Sequence, residues 1–190
     1  MRVFAAIPLD SATVQRLGKL KGQLDVPGID IAWVKPENIH LTLVFLGELT
    51  DADCKQAGQA LAAVAAAHQP FSVQFDSIGA FPGERFPRII WAGIRTGAEQ
   101  MIALGESVRA ALAGVGEEED KAFMPHATIG RVRSTQKTGE LREKLVQAQA
   151  SWEATPLEKI TSVRLYESQL GRSGPTYRVA GGWLLGAPIK

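Results

Sequence analysis

The chain has 190 residues, 45% hydrophobic and 22% charged, a globular composition long enough to bury a sizeable core. Its 21 Lys plus Arg and 20 Asp plus Glu give a formal net charge of +1, which excludes a nucleic-acid coat bound through bulk charge and makes any phosphate site a local one. The single cysteine, Cys54, excludes an internal disulfide framework and a cysteine-rich zinc site and suits a reducing compartment.

Residues 1–8 form too short an apolar run for a signal segment and end in Pro8. No later stretch approaches the roughly eighteen apolar residues of a membrane helix. One compact domain over 1–190, no membrane partner and a cytoplasmic location are expected. Residues 3–7 read as a strand stopped by Pro8, after which Asp10 or Ser11 caps a helix reaching Leu24, with Val14, Leu17 and Leu20 on its apolar stripe. A turn at 26–30 and a short apolar piece at 31–34 lead through Pro36 and Glu37 into a strand over 40–46. Gly47 ends that strand, Asp51 or Asp53 caps the alanine-rich helix at 57–67, and Pro70 closes it.

Strand 71–78 alternates Phe71, Val73 and Phe75 against Ser72, Gln74 and Asp76. A loop holding Pro82, Gly83, Arg85, Pro87 and Arg88 precedes strand 89–94, and helix 97–114 carries Met101, Leu104, Val108 and Leu112. The acidic run Glu117-Glu118-Glu119-Asp120 reads as a solvated loop. Strand 123–132, a charged helix at 135–150, strand 160–166, a tight turn at 171–175 and strand 177–185 complete the order.

The chain has three histidines, and two of them stand in matching settings, His40-Leu41-Thr42-Leu43 and His126-Ala127-Thr128-Ile129. In a strand, successive side chains point to opposite faces, so His40 and Thr42 share one face while Leu41, Leu43 and Phe45 share the other. His68, at the end of the alanine-rich helix, suits the helix C-terminus instead. One imidazole can take a proton from water while the other gives one to a leaving oxygen, with both limbs of the pH profile near neutrality. That division of labour suits phosphoryl transfer, with threonine hydroxyls and an arginine on the non-bridging oxygens. Arg131 is the nearby arginine, but strict alternation turns it away from His126 unless a bulge at Gly130 or a strand end intervenes. No third-ligand cluster accompanies the histidines, so no metal is expected, and Cys54 has no motif around it.

These two motifs resemble the paired His-x-Thr-x motifs of the two-histidine (2H) phosphoesterases, and most closely the RNA 2′,3′-cyclic phosphodiesterases also called 2′-5′ RNA ligases. Arg2 to Ile7, Trp33 to Ile39, Phe86 to Trp91, Glu167-Ser168 and Gly174 to Tyr177 resemble further family segments, so the likeness covers nearly the whole chain. The second motif has Ile129-Gly130 where the family more often has leucine and alanine.

The resemblance implies an α+β fold with two α/β lobes, mostly antiparallel facing sheets in pseudo-two-fold relation, helices outside and a cleft between. A weak internal echo of helix, loop and motif strand in each half agrees. The implied activity is cofactor-free hydrolysis of RNA 2′,3′-cyclic phosphate ends to 2′-phosphomonoesters, with reversible 2′-5′ ligation as a companion. His40 is implied as acid and His126 as base, with the labels exchangeable; Thr42, Thr128 and Arg131 are implied to bind substrate. The expected partner is an RNA or oligonucleotide with a 2′,3′-cyclic phosphate end, acted on by a monomer. Two alternatives stay open, a phosphodiesterase of small cyclic nucleotides or 2′-5′ oligonucleotides, and a non-catalytic RNA- or nucleotide-binding module.

Overall fold

A computed structural model of the chain describes residues 1–117, 122–133, 137–171 and 174–188. Strand β1 (Arg2–Pro8) leads to helix α1 (Ser11–Gly18), whose N-cap Asp10 accepts from the Thr13 amide at 2.7 Å. The helix expected to reach Leu24 is interrupted after Gly18 and resumes as α2 (Leu20–Leu24). Strand β2 (Ile31–Trp33) and a 3₁₀ turn at Pro36–Asn38 precede β3 (His40–Glu48). Helix α3 (Asp51–Ala67) is capped by Thr50, with Asp53 reciprocating in a capping box. The aspartate named from sequence is thus the second member of the cap.

The strand expected over 71–78 changes partners at Gln74. Strand β4 (Phe71–Val73) precedes that point, and β5 (Phe75–Phe81) follows it. Next come β6 (Ile89–Ile94), α4 (Ala98–Ala111) and β7 (His126–Val132). The second motif strand starts at His126 rather than at Phe123, because Pro125 has no amide to donate to a ladder. Helix α5 (Thr138–Ser151) and strands β8 (Glu158–Ile160), β9 (Ser162–Gly171) and β10 (Gly174–Leu184) close the chain. Glu118 to Asp120 of the acidic run, Thr135 at the start expected for α5, and Arg172-Ser173 of the final turn lie outside the described residues.

Among the described residues all strand pairs are antiparallel, and β4 with β8 makes a small two-stranded sheet. The eight remaining strands form one sheet in the order β10-β9-β1-β3-β7-β6-β5, with β2 also on β7. What the resemblance implied as two sheets is therefore two four-stranded halves, joined through the single pair Leu41 and Ala127. Both side chains are fully buried. Helices cover that back face: α4 packs on β3, α3 on β9 and β10, α2 on β7 and α5 on β5. His68 ends α3, and its Nε2 lies 3.0 Å from Ser107 Oγ on α4, so it ties two helices together. Among the described residues no helix is long and apolar enough to cross a membrane.

Each central strand carries a bulge at the same place. Along β3, Ala6 pairs with Thr42 and Ala5 with Val44, which leaves Leu43 extra. Along β7, Trp91 pairs with Thr128 and Ile90 with Gly130, which leaves Ile129 extra. A bulge breaks strict alternation and increases local twist. It also frees main-chain groups that need new partners. The Leu43 carbonyl accepts from Arg109 Nε of α4 at 3.1 Å, and the Ile129 carbonyl accepts from the Val34 amide at 2.9 Å.

Arg109 also sets its guanidinium 5.1 Å from the ring centre of Phe123, three residues before His126. One side chain thus touches the bulge of the first motif and the approach to the second. Replacing Arg109 with methionine keeps the stem and removes the donor. Urea unfolding is expected to show a loss of about 1.5–3 kcal/mol, the range for a hydrogen bond to a charged group. An unchanged midpoint would contradict this role.

Candidate active site

The Leu41–Ala127 pair fixes the site. One step out on either side of an antiparallel pair, His40 stands opposite Thr128 and Thr42 opposite His126. All four side chains are half-buried, and they share the face opposite the buried Leu41 and Ala127. The local two-fold between β3 and β7 therefore gives each histidine the other motif's threonine as neighbour.

Both rings are oriented in the same way. His40 Nδ1 lies 2.7 Å from the Asn38 carbonyl, and His126 Nδ1 lies 2.8 Å from the Met124 carbonyl. A carbonyl only accepts, so each neutral ring carries its proton on Nδ1, which leaves Nε2 as the basic nitrogen. The Asn38 side chain in turn donates to the Pro175 carbonyl at 2.8 Å, fastening the approach to the first motif onto β10.

The two histidines differ in their surroundings. His40 stacks on Phe4 with ring centres 5.0 Å apart, meets Tyr177 edge-on at 5.4 Å and has Tyr166 at 6.3 Å. Burial pushes its pKa down to about 4, the Asn38 carbonyl opposes this, and the charges of Arg131 and His126 add to it. Burial also raises Tyr177, against the positive charges of Arg131 and Arg2. On the other half, the edge of Phe81 meets His126 with ring centres 5.1 Å apart, and Trp91 lies 5.3 Å from Phe81.

The bulges decide two further positions. With Ile129 extra, Arg131 comes round to the face of His126 and Thr128, and its charge reaches His40 and Tyr177. The condition that sequence set for Arg131 is met by a bulge one residue before Gly130. Phe45, five residues past His40 as Arg131 is past His126, turns likewise. It was expected on the core face, but the extra Leu43 shifts the alternation. Phe45 instead lies beside Phe4, ring centres 5.9 Å apart, and is 46% exposed.

His40, Thr42, His126, Thr128 and Arg131 are thus brought to one face. Sequence reasoning missed Phe4, Phe45, Tyr166, Tyr177, Phe81 and Trp91 around them. Among the described residues no group of three or more His, Cys, Asp or Glu is placed to hold a metal ion.

The chain is also similar to known proteins. The family profile described as LigT like phosphoesterase matches residues 7–91. An RNA 2′,3′-cyclic phosphodiesterase of Archaeoglobus fulgidus is 33% identical over 94% of this chain and 97% of its own. A protein of the same name from Aeropyrum pernix is 31% identical over 87% and 92%. A crystal structure of a Thermus thermophilus protein superposes with a TM-score of 0.79 at 26% identity, covering 98% of both chains. With a relative 33% identical over nearly the whole of both sequences, the chain belongs to the LigT-like phosphoesterase family.

Proposed function

We propose that this chain hydrolyses 2′,3′-cyclic phosphate ends of RNA to 2′-phosphomonoesters, with the paired histidines as general acid and base and no metal. The observation that carries the reading is the crossed arrangement of His40 with Thr128 and His126 with Thr42, each ring pinned through Nδ1 by a main-chain carbonyl. The names of the relatives support the substrate class. A monomer in the cytoplasm, with both halves serving one cleft, belongs to the same reading.

In the reaction, His126 takes a proton from water as its oxygen attacks phosphorus. His40 gives a proton to the departing 3′ oxygen, and the bond to the 2′ oxygen is kept. The Thr42 and Thr128 hydroxyls donate to non-bridging oxygens, where charge grows, and Arg131 neutralises it. Phe45, exposed beside Phe4, offers a ring on which the terminal base stacks.

Alanine at either His40 or His126 is expected to lower kcat by roughly two to four orders of magnitude in a folded protein, in EDTA as without it. On a 4-nitrophenyl phosphodiester, whose leaving group needs no proton, His40→Ala should lose far less than His126→Ala. Equal losses on both substrates would contradict the acid and base assignment.

The pair reacts while holding one proton, whichever ring carries it. Because the low pKa of His40 favours its neutral form, the acid limb of kcat/KM is expected near pH 4, not near neutrality as sequence suggested. Bound phosphate adds negative charge beside the ring and favours imidazolium, so the acid limb of kcat should lie higher. Coincident limbs near pH 6.5, the ordinary imidazole value, would contradict the burial of His40.

Arg131→Lys keeps the charge and loses the planar fork, so inhibition by a nucleoside 2′-phosphate should weaken. Phe45→Ala should weaken the same inhibitor by about 1–3 kcal/mol, with little effect from replacing the base by hydrogen in that variant. Wild-type inhibition constants in both would remove these two residues from the site.

A further inference from the structure

On the first half of the sheet a further cation stands on the catalytic face, outside the constellation described above. Arg164 of β9 pairs with Ala6 of β1, and Ala6 pairs with Thr42 of β3. Side chains directly opposite each other in an antiparallel pair share a face, so Arg164 and Thr42 belong to one row on the face of the histidines. The sequence neighbours of Arg164, Val163 and Leu165, are buried on the other face.

Nothing larger than a methyl group interrupts that row. Ala6 lies between the two residues, and Gly182 of β10 pairs with Arg164 on its outer side. Neighbouring strands lie about 4.8 Å apart, so Arg164 starts about 10 Å from Thr42. One ribose and the reach of an arginine close such a gap. Arg16, Arg109 and Arg178 are each engaged by a carboxylate or a carbonyl. Arg164 is half-buried, and among the described residues no hydrogen bond, ion pair or ring contact involves it.

The other half holds no such cation. In the row of Thr128 the two places beyond the threonine are taken by Trp91 and Gly79. The indole lies across the glycine, where an added methyl carbon would meet ring atom Cε2 at 2.9 Å. The local two-fold therefore offers the same position twice, and an arginine fills it on one half. That half also carries Phe45, in the adjacent row with Phe4 and Tyr166. With the terminal base on Phe45 and the cyclic phosphate between the histidines, the chain leaving the 5′ oxygen of the terminal nucleoside passes over this half.

We propose that Arg164 binds the phosphodiester on the 5′ side of the terminal nucleoside, so that the site prefers the cyclic end of an RNA strand to a free 2′,3′-cyclic nucleotide. The proposal rests on the hydrolase reading above and adds a second point of attachment to it. The planar guanidinium donates to the non-bridging oxygens of that phosphate. Arg131 serves the phosphorus that reacts, whereas Arg164 holds one that does not. A contact made equally before and during the reaction lowers KM and leaves kcat alone.

The test compares two dinucleotides that differ by a single charge. One is adenylyl-adenosine with a 2′,3′-cyclic phosphate end; the other has a neutral methylphosphonate in place of the internal phosphodiester. The ratio of their kcat/KM values within one protein cancels any general loss of activity. The wild type should favour the charged dinucleotide by about tenfold or more, the usual effect of a hydrogen bond to a charged group, and through KM. Arg164→Gln should lose most of that preference, and Arg164→Lys, which keeps the charge without the fork, should retain part of it. Lys55→Gln, at an exposed position of α3 behind the sheet, removes the same charge and should keep the wild-type ratio.

No preference in the wild type, an unchanged ratio in Arg164→Gln, or an equal fall in Lys55→Gln would overturn the proposal while leaving hydrolysis standing. Failure of the wild type to open either dinucleotide would overturn the hydrolase reading along with it.

Discussion

Two extra residues, Leu43 and Ile129, decide what this sheet can do. A regular pair of strands through the two motifs would still set four polar side chains on one face. It would also turn Phe45 and Arg131 into the helix layer, where an arginine would be buried without water. Each bulge adds one residue after the threonine and brings the position five past the histidine to the open face. The Leu43 carbonyl is held from the helix layer by Arg109, and the Ile129 carbonyl by the Val34 amide just past β2. The site therefore depends on a helix behind the sheet and on the segment entering the first motif, as well as on the motifs themselves.

The local two-fold supplies paired positions, and the side chains at those positions make the pair unequal. Phe4, Tyr166 and Tyr177 enclose His40 and hold it neutral in the free protein. Phe81 and Trp91 border His126 with a flat surface. The positions five past each histidine hold a phenylalanine on one strand and an arginine on the other. An asymmetric reaction, in which one ring gives a proton and the other takes one, needs this inequality on a symmetric frame. The low pKa of His40 has a further consequence. Its protonation follows the arrival of phosphate, so binding and acid catalysis are linked through the same ring.

Much of this was legible in the sequence because it is local. The His-x-Thr repeats, the strands around them and the position of most helices follow from period and capping residues. The bulges were not recognised, although Leu43-Val44 and Ile129-Gly130 interrupt the alternation of polar and apolar residues just where the extra residue sits. Phe45 was consequently placed on the wrong face. Arg109, Trp91 and Phe81 carry no local signal, since their partners come from other elements and are set only when the chain folds. The strand expected over 89–94 gave no sign that Gly79 and Gly93 leave room for the Trp91 indole, which only the folded sheet lays across them.

The most direct measurement of the central claim uses an RNA oligonucleotide ending in a 2′,3′-cyclic phosphate, incubated with the protein in EDTA and ¹⁸O-labelled water. Mass spectrometry and phosphorus NMR should show one ¹⁸O in a terminal 2′-phosphomonoester and none in the chain. A 3′-phosphate product, label elsewhere, or turnover that appears only when a metal ion is restored would contradict the account.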